Sequence, residues 1–125
     1  MRAPDYQGGG LVNLIAELEF RLIGQAPSPR LRTDLAERIP AARSYVFVLF
    51  DGLGDHQLGH PAAARLARDR IDAIDSSFST QTTVNTSTLA TGLPPSQHGM
   101  IAYLLRLGGR VVNTIFFFLT LTGGR

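Results

Sequence analysis

The 125 residues suffice for one small domain, and an apolar share of 44% is ordinary for a globular chain. All twelve basic residues are Arg, yet the net charge is only +2 and no Arg cluster is interleaved with aromatics, so the chain carries no nucleic-acid-binding signature. Cysteine is absent, which excludes disulfides and thiolate metal sites; any metal must be held by Asp, Glu, His or hydroxyl oxygen.

The first residues, Met1-Arg2-Ala3-Pro4-Asp5, lack the apolar run of a secretory signal. The apolar patches, Ile115 to Leu119 among them, are far short of a membrane span. A cytoplasmic location with no membrane partner is the default expectation, and the pattern says nothing of the oligomeric state.

After a Gly-rich start at Tyr6 to Gly10, Leu11, Leu14, Ile15, Leu18 and Leu22 recur at helical spacing until Gly24, which predicts an amphipathic helix with a defined stop. Pro27 and Pro29 mark a linker. Thr33 is placed to cap a short helix running through Arg38, with Leu35 and Ile39 inward and Pro40 as its end. Nothing in these forty residues points to chemistry, and a scaffold role is expected for them.

Ser44 to Phe50 is an unbroken apolar run rich in β-branched and aromatic residues, which predicts a central strand covered on both faces. It ends at Asp51-Gly52. In open α/β sheets ligands gather beyond the carboxyl ends of strands, so Asp51 is a site candidate as well as a candidate turn residue. The Gly52-x-Gly54 pair does not make a dinucleotide fingerprint, because the third glycine would fall at Gln57. His56 and His60 have the spacing of paired metal ligands, but Gly59 and Pro61 oppose a continuous helix, which favours surface or capping roles.

Ala62 to Arg70 is a plausible helix with Ala63, Leu66 and Ala67 facing a sheet, and Ile71 to Ile74 a plausible second strand. The stretch from Phe78 to Thr91 is crowded with Ser and Thr, residues that favour caps over helix interiors, and it closes on Gly92-Leu93-Pro94-Pro95. A helix of such poor propensity suggests a polar site at its start, and a Thr-rich surface loop is the alternative reading of the stretch. Two further apolar runs, Ile101 to Leu107 and Val111 to Phe118, flank Gly108-Gly109 as a hairpin would. The strand and helix order points to a parallel sheet.

Two segments together, VFVLFDGLG at 46–54 and FSTQTTVNTSTLATGLPPSQHGM at 78–100, resemble the type I phosphodiesterase/nucleotide pyrophosphatase family of the alkaline phosphatase superfamily. YQGGGLVNLIAEL at 6–18 is similar to the opening of bacterial members. The resemblance implies an α/β fold, here the incomplete N-terminal part of a doubly wound, mainly parallel, alkaline-phosphatase-like sheet spanning residues 1–125. It also implies hydrolysis of small-molecule phosphate esters with two divalent metal ions, commonly zinc. By that resemblance Thr82 is the nucleophile and a metal ligand, Asp51 is a metal ligand, and Asn85 lines the substrate pocket or caps locally. Alignment on Phe78 and Asn85 selects Thr82; spacing alone does not separate it from Thr80, Thr83 or Thr86. His98 is read as fixing a turn. Nucleotide-hydrolysing members usually carry Asn where this chain has Tyr103.

From Ser76 to Arg125 there is no Asp or Glu, and the only His is His98. Two metals need about six or seven ligands. The expectation is therefore an N-terminal portion of a longer hydrolase, with Asp55 the nearest additional acid. The alternative is a non-catalytic α/β binding module or an inert fragment.

Overall fold

In the computed structural model, residues 3–115 are described. Helix α1 spans Leu11–Ile23 and ends where Gly24 adopts the left-handed conformation at φ 75°. Its buried face comprises Leu11, Val12, Ile15 and Ala16 with two polar residues, Asn13 and Glu17; Leu14 and Leu18 are half-buried, and Leu22 is exposed. Asn13 is buried because its amide organises the Gly-rich start: Oδ1 accepts the Gly10 N–H at 2.9 Å, and Nδ2 donates to the Tyr6 and Pro29 carbonyls at 2.8 and 2.7 Å. The next helix, α2, is a single turn, Thr33–Ala36. Its N-cap is Arg32 and no side chain caps it, so Thr33 sits one position inside the helix it was expected to cap. Leu31, Leu35 and Ala36 form a core cluster against which Leu14, Ile39 and Ile74 pack.

The run Ser44 to Phe50 differs from expectation. Among the described residues it pairs with no strand, and Val46 is 91% exposed. A strand exists only where neighbours take up its N–H and C=O groups, and apolar composition signals burial without supplying those neighbours. Ile71 to Ile74 likewise forms no strand; just after it Asp75 makes an isolated parallel bridge to Gly10, closed by Leu11 N to Asp75 O and Asp75 N to Gly9 O, both 2.8 Å. The expected Ala62–Arg70 helix is a 3-10 turn at Pro61–Ala63 followed by α3, Ala64–Arg68. Leu66 is exposed, having no sheet to face.

The Thr-rich stretch does form a helix: α4 runs from Thr82 to Thr91 and packs against α1. Tertiary contacts offset its poor propensity. Val84 and Thr88 are fully buried, while the Thr86 and Thr91 hydroxyls bond back to the carbonyls of Thr82 and Ser87 at 2.8 and 2.7 Å. Gly92 ends α4 at φ 64°, and a Cβ there would meet Pro27 Cγ at 2.7 Å. Gly92→Ala is expected to lower stability by at least about 1–2 kcal/mol from the left-handed backbone alone, read from the urea midpoint.

A short helix α5, Pro95–His98, leads to the hairpin of β1, Leu104–Leu107, and β2, Arg110–Asn113. The strands are antiparallel with Leu105 opposite Val112, and Gly108 and Gly109 at φ 55° and 81° supply the two left-handed positions of a tight turn. The part of the second apolar run beyond residue 115 lies outside the described residues. Among those described, the architecture is helical with one small antiparallel sheet, compatible with an α/β chain, and no helix is long and apolar enough to cross a membrane.

Candidate active site

Asp51 follows the apolar run at a turn in which Gly52 takes φ 74°. Thr82 is the first residue of α4. Although 31 positions separate them, the Thr82 hydroxyl donates to the Asp51 carboxylate, with Oγ1 3.2 Å from Oδ2 and 3.4 Å from Oδ1. Both residues line a cavity of about 480 Å³ together with Thr80, Gln81, Asn85 and Thr86.

The competing threonines are distinguished by their surroundings. Thr83 Oγ1 is buried and has no hydrogen-bond partner, the Thr86 hydroxyl is committed to backbone carbonyls, and Thr80 lines the cavity without reaching Asp51. Thr82 alone among them presents its hydroxyl to a carboxylate. That hydroxyl also accepts a hydrogen bond from the Tyr103 phenol at 3.1 Å, while the Thr82 N–H donates to the same phenolic oxygen at 3.2 Å. With its proton directed at Asp51 and one lone pair held by Tyr103, Oγ1 keeps its second lone pair. The bonds with Thr82 hold the Tyr103 phenol below its usual pKa, although its desolvation and the Asp51 charge oppose the shift.

Asn85 lines the same cavity, and its amide braces the segment leading into α4. Oδ1 accepts the Ser77 N–H at 2.8 Å, and Nδ2 donates to the Gln81 carbonyl at 3.1 Å and, more loosely, to that of Ser79 at 3.5 Å. Gln81 was not singled out from sequence, yet its Oε1 accepts the Tyr103 N–H at 2.7 Å. No local signal marks Gln81, because its partner lies 22 residues away. Tyr103 stood out only as a departure from the family pattern.

The histidines do not converge. His60 Nδ1 accepts the Ala62 N–H at 3.1 Å as a cap, whereas His56, on the 3-10 turn Asp55–Gly59, lines the same cavity as Asp51 and Thr82. Asp55 is occupied by Arg70 at 2.5 and 3.1 Å. His98 Nδ1 accepts the Met100 N–H at 3.0 Å, so Nε2 carries the proton and faces Thr88 Oγ1 at 3.1 Å, which in turn meets Ser77 Oγ at 3.0 Å. This buried relay fixes the turn after α5. Burial pushes the His98 pKa below its usual 6.5. The neutral ring is therefore favoured by folding, so its contribution is complete above pH 6.5 and is lost as pH falls through the lowered value. Thermal midpoints are expected to drop below pH 6.5 in the parent and to drop less in His98→Gln.

Asp51 and Thr82 offer adjacent oxygen donors, the hard ligand type that suits a divalent cation. Among the described residues no group of three or more His, Cys, Asp or Glu side chains is gathered around one point. These two residues are two oxygen donors of the about four ligands that one such ion takes.

Comparison with known proteins adds an independent finding. The model of the type I phosphodiesterase / nucleotide pyrophosphatase family matches residues 45–114, which is more than half of the chain and includes Asp51, Thr82, Asn85 and Tyr103. No curated protein and no solved structure matches at a significant level. The chain belongs to the type I phosphodiesterase / nucleotide pyrophosphatase family.

Proposed function

We propose that this chain carries the nucleophile of a metal-dependent phosphoric-ester hydrolase acting on small phosphate esters. The observation that carries the reading is the meeting of Thr82 and Asp51 at the first turn of a ten-residue helix, across 31 residues of sequence. Thr82 Oγ1 attacks phosphorus as its proton moves to the Asp51 carboxylate, the P–O bond to the ester oxygen breaks and the leaving oxygen takes up that proton to depart as an alcohol; water then attacks the phospho-threonine, releasing the phosphate product and restoring the Thr82 hydroxyl. The N-terminal end of α4 favours the negative charge of the transferred group. Asn85, which gives one Nδ2 hydrogen to the Gln81 carbonyl at 3.1 Å and holds the Ser79 carbonyl loosely at 3.5 Å with the other, is assigned to a substrate oxygen through that second hydrogen.

Two divalent ions, zinc by family resemblance, complete this reading, with Asp51 and Thr82 among their ligands. Bound there, they would lower the pKa of the hydroxyl and stabilise the attacking and leaving oxygens. The corresponding scaffold is a doubly wound, mainly parallel sheet, in which Ser44 to Phe50 would become a strand on gaining partners that the described residues do not give it. The apolar character of Tyr45 to Phe50 and the parallel bridge between Gly10 and Asp75 support it.

The direct test is to mix zinc-supplemented protein with a chromogenic aryl phosphodiester, quench in acid and map the peptides. A phosphoryl adduct on Thr82 is expected. An adduct on another residue, or turnover with none, would remove Thr82 from this role.

A further inference from the structure

We infer that Tyr103 is a positioning residue for Thr82, locked in place by Gln81 and Thr114. The inference deepens the nucleophile reading and rests on it for its catalytic meaning, although the contacts stand independently.

A threonine at the first position of a helix has a choice of side-chain rotamers, and its N–H has no partner within the helix. Here one phenolic oxygen deals with both. It accepts the Thr82 N–H at 3.2 Å and donates its own proton to Thr82 Oγ1 at 3.1 Å. Because Oγ1 receives that proton, its own hydrogen is directed to Asp51 at 3.2 Å. Tyr103 thus selects the rotamer that faces the carboxylate and orients the hydroxyl proton. A phenylalanine would fill the same space and do neither.

Tyr103 is itself held at two points. Its N–H donates to Gln81 Oε1 at 2.7 Å, and its carbonyl accepts the Thr114 N–H at 2.8 Å together with a weaker share, at 3.1 Å, of the single Thr114 hydroxyl proton. Thr114 is buried, only 2% exposed, and its hydroxyl also reaches the Ala102 carbonyl at 2.9 Å. Ser79 Oγ adds a bond to the Ile101 carbonyl at 3.2 Å. The segment 101–103 is therefore clamped between the end of the hairpin and the residues that start α4. Gln81 is the N-cap residue of α4 by position, but its side chain makes no cap bond. It is spent on Tyr103 instead, which explains a glutamine where Ser, Thr, Asp or Asn would be favoured.

The test uses the isotope-labelled full chain without metal. In Tyr103→Phe, amide exchange at Thr82 is expected to accelerate about fivefold, the worth of one ordinary hydrogen bond, and the Thr82 χ1 couplings to move from a single rotamer toward averaged values. Amides of Asn13 and Glu17, remote from the clamp, report that the fold persists. Gln81→Ala should shift Thr82 in the same direction while leaving the Tyr103 phenol and the Asp51 carboxylate unaltered, and Gln81→Glu, which keeps the acceptor, should restore the parent couplings. Should Tyr103→Phe fail to fold, the Gln81 pair decides the matter. Unchanged Thr82 couplings in the variant that folds would overturn the proposal. In zinc-supplemented assays of the aryl diester, Tyr103→Phe should lower kcat about tenfold with KM unchanged. If Thr82→Ala remains active while the couplings respond as stated, the nucleophile reading fails and the positioning stands. If Thr82→Ala is inactive and the couplings do not respond, the reverse holds.

Discussion

Thr82→Ala, assayed on a chromogenic phosphodiester in zinc-supplemented protein, is expected to lose at least about 10⁴-fold in kcat, the scale on which removal of a covalent nucleophile acts. In the proposed mechanism the substitution deletes the atom that bonds to phosphorus, and no other hydroxyl stands in its place. Thr80 does not reach Asp51, Thr83 is buried, and the Thr86 hydroxyl is bonded to the Thr82 and Thr83 carbonyls at 2.8 and 3.3 Å. The helix should survive, because alanine has the best intrinsic propensity and the N-terminal turn keeps its contact with Tyr103 through the Thr82 backbone N–H. Thr82→Ser keeps the hydroxyl and should retain measurable turnover. Turnover of Thr82→Ala within tenfold of the parent would show that phosphorus is attacked by something else.

Glu17→Ala is expected to lower stability by about 2–3 kcal/mol, the scale of hydrogen bonds to a charged group, and by less than a fully buried ion pair would cost because the Arg21 and Arg30 side chains are 21% and 44% exposed. Glu17 lies on the inner face of α1 with its side chain 1% exposed. Its carboxylate receives Arg21 Nε at 2.7 Å and Arg30 through two nitrogens at 2.8 and 3.2 Å. Arg21 in turn closes the end of α2 by donating to the carbonyls of Ala36 at 2.6 Å and Ile39 at 2.9 Å, and the Arg30 guanidinium lies 3.8 Å above the Phe20 ring. Removing the carboxylate leaves two guanidinium groups without their counter-ion and loosens the junction of α1, α2 and the linker. A small domain has only about 5–15 kcal/mol to lose, so a clear downward shift of the urea midpoint is expected.

The same carboxylate predicts a pH response. Burial alone would raise its pKa, but the hydrogen bonds and charges of Arg30 and Arg21 outweigh burial and hold it below 4.5. A depressed carboxyl stabilises the folded chain fully above pH 4.5, and that contribution is lost as pH falls through the lowered value. Glu17→Gln should therefore flatten the acid limb of the stability profile. An acid limb identical in the two proteins would show that Glu17 is not responsible for it.

Local chemistry was legible in the residues themselves. Gly24 and Gly92 close α1 and α4 in the left-handed conformation, and Gly108-Gly109 makes the hairpin turn, because each depends on backbone preferences within a few positions. The family was legible in two segments, and its model covers both. His98 was expected to fix a turn, and its ring does so through the Met100 N–H.

What the sequence could not carry are the meetings between distant positions. Glu17 has the spacing of an ordinary helix-face acid and became buried only because Arg30, 13 residues away, arrives with Arg21 to neutralise it. Ser44 to Phe50 has the composition of a central strand, yet strandedness belongs to a pair of segments, and the described residues give it no partner. Asp51 and Thr82 were each named as site residues, but their contact, and the Tyr103 and Gln81 bonds that orient it, exist only once the chain is folded. Helix stops and tight turns are settled by neighbours along the chain. The direction of one hydroxyl proton is settled by groups 21 and 31 residues away, and only tertiary packing brings those groups within hydrogen-bond reach.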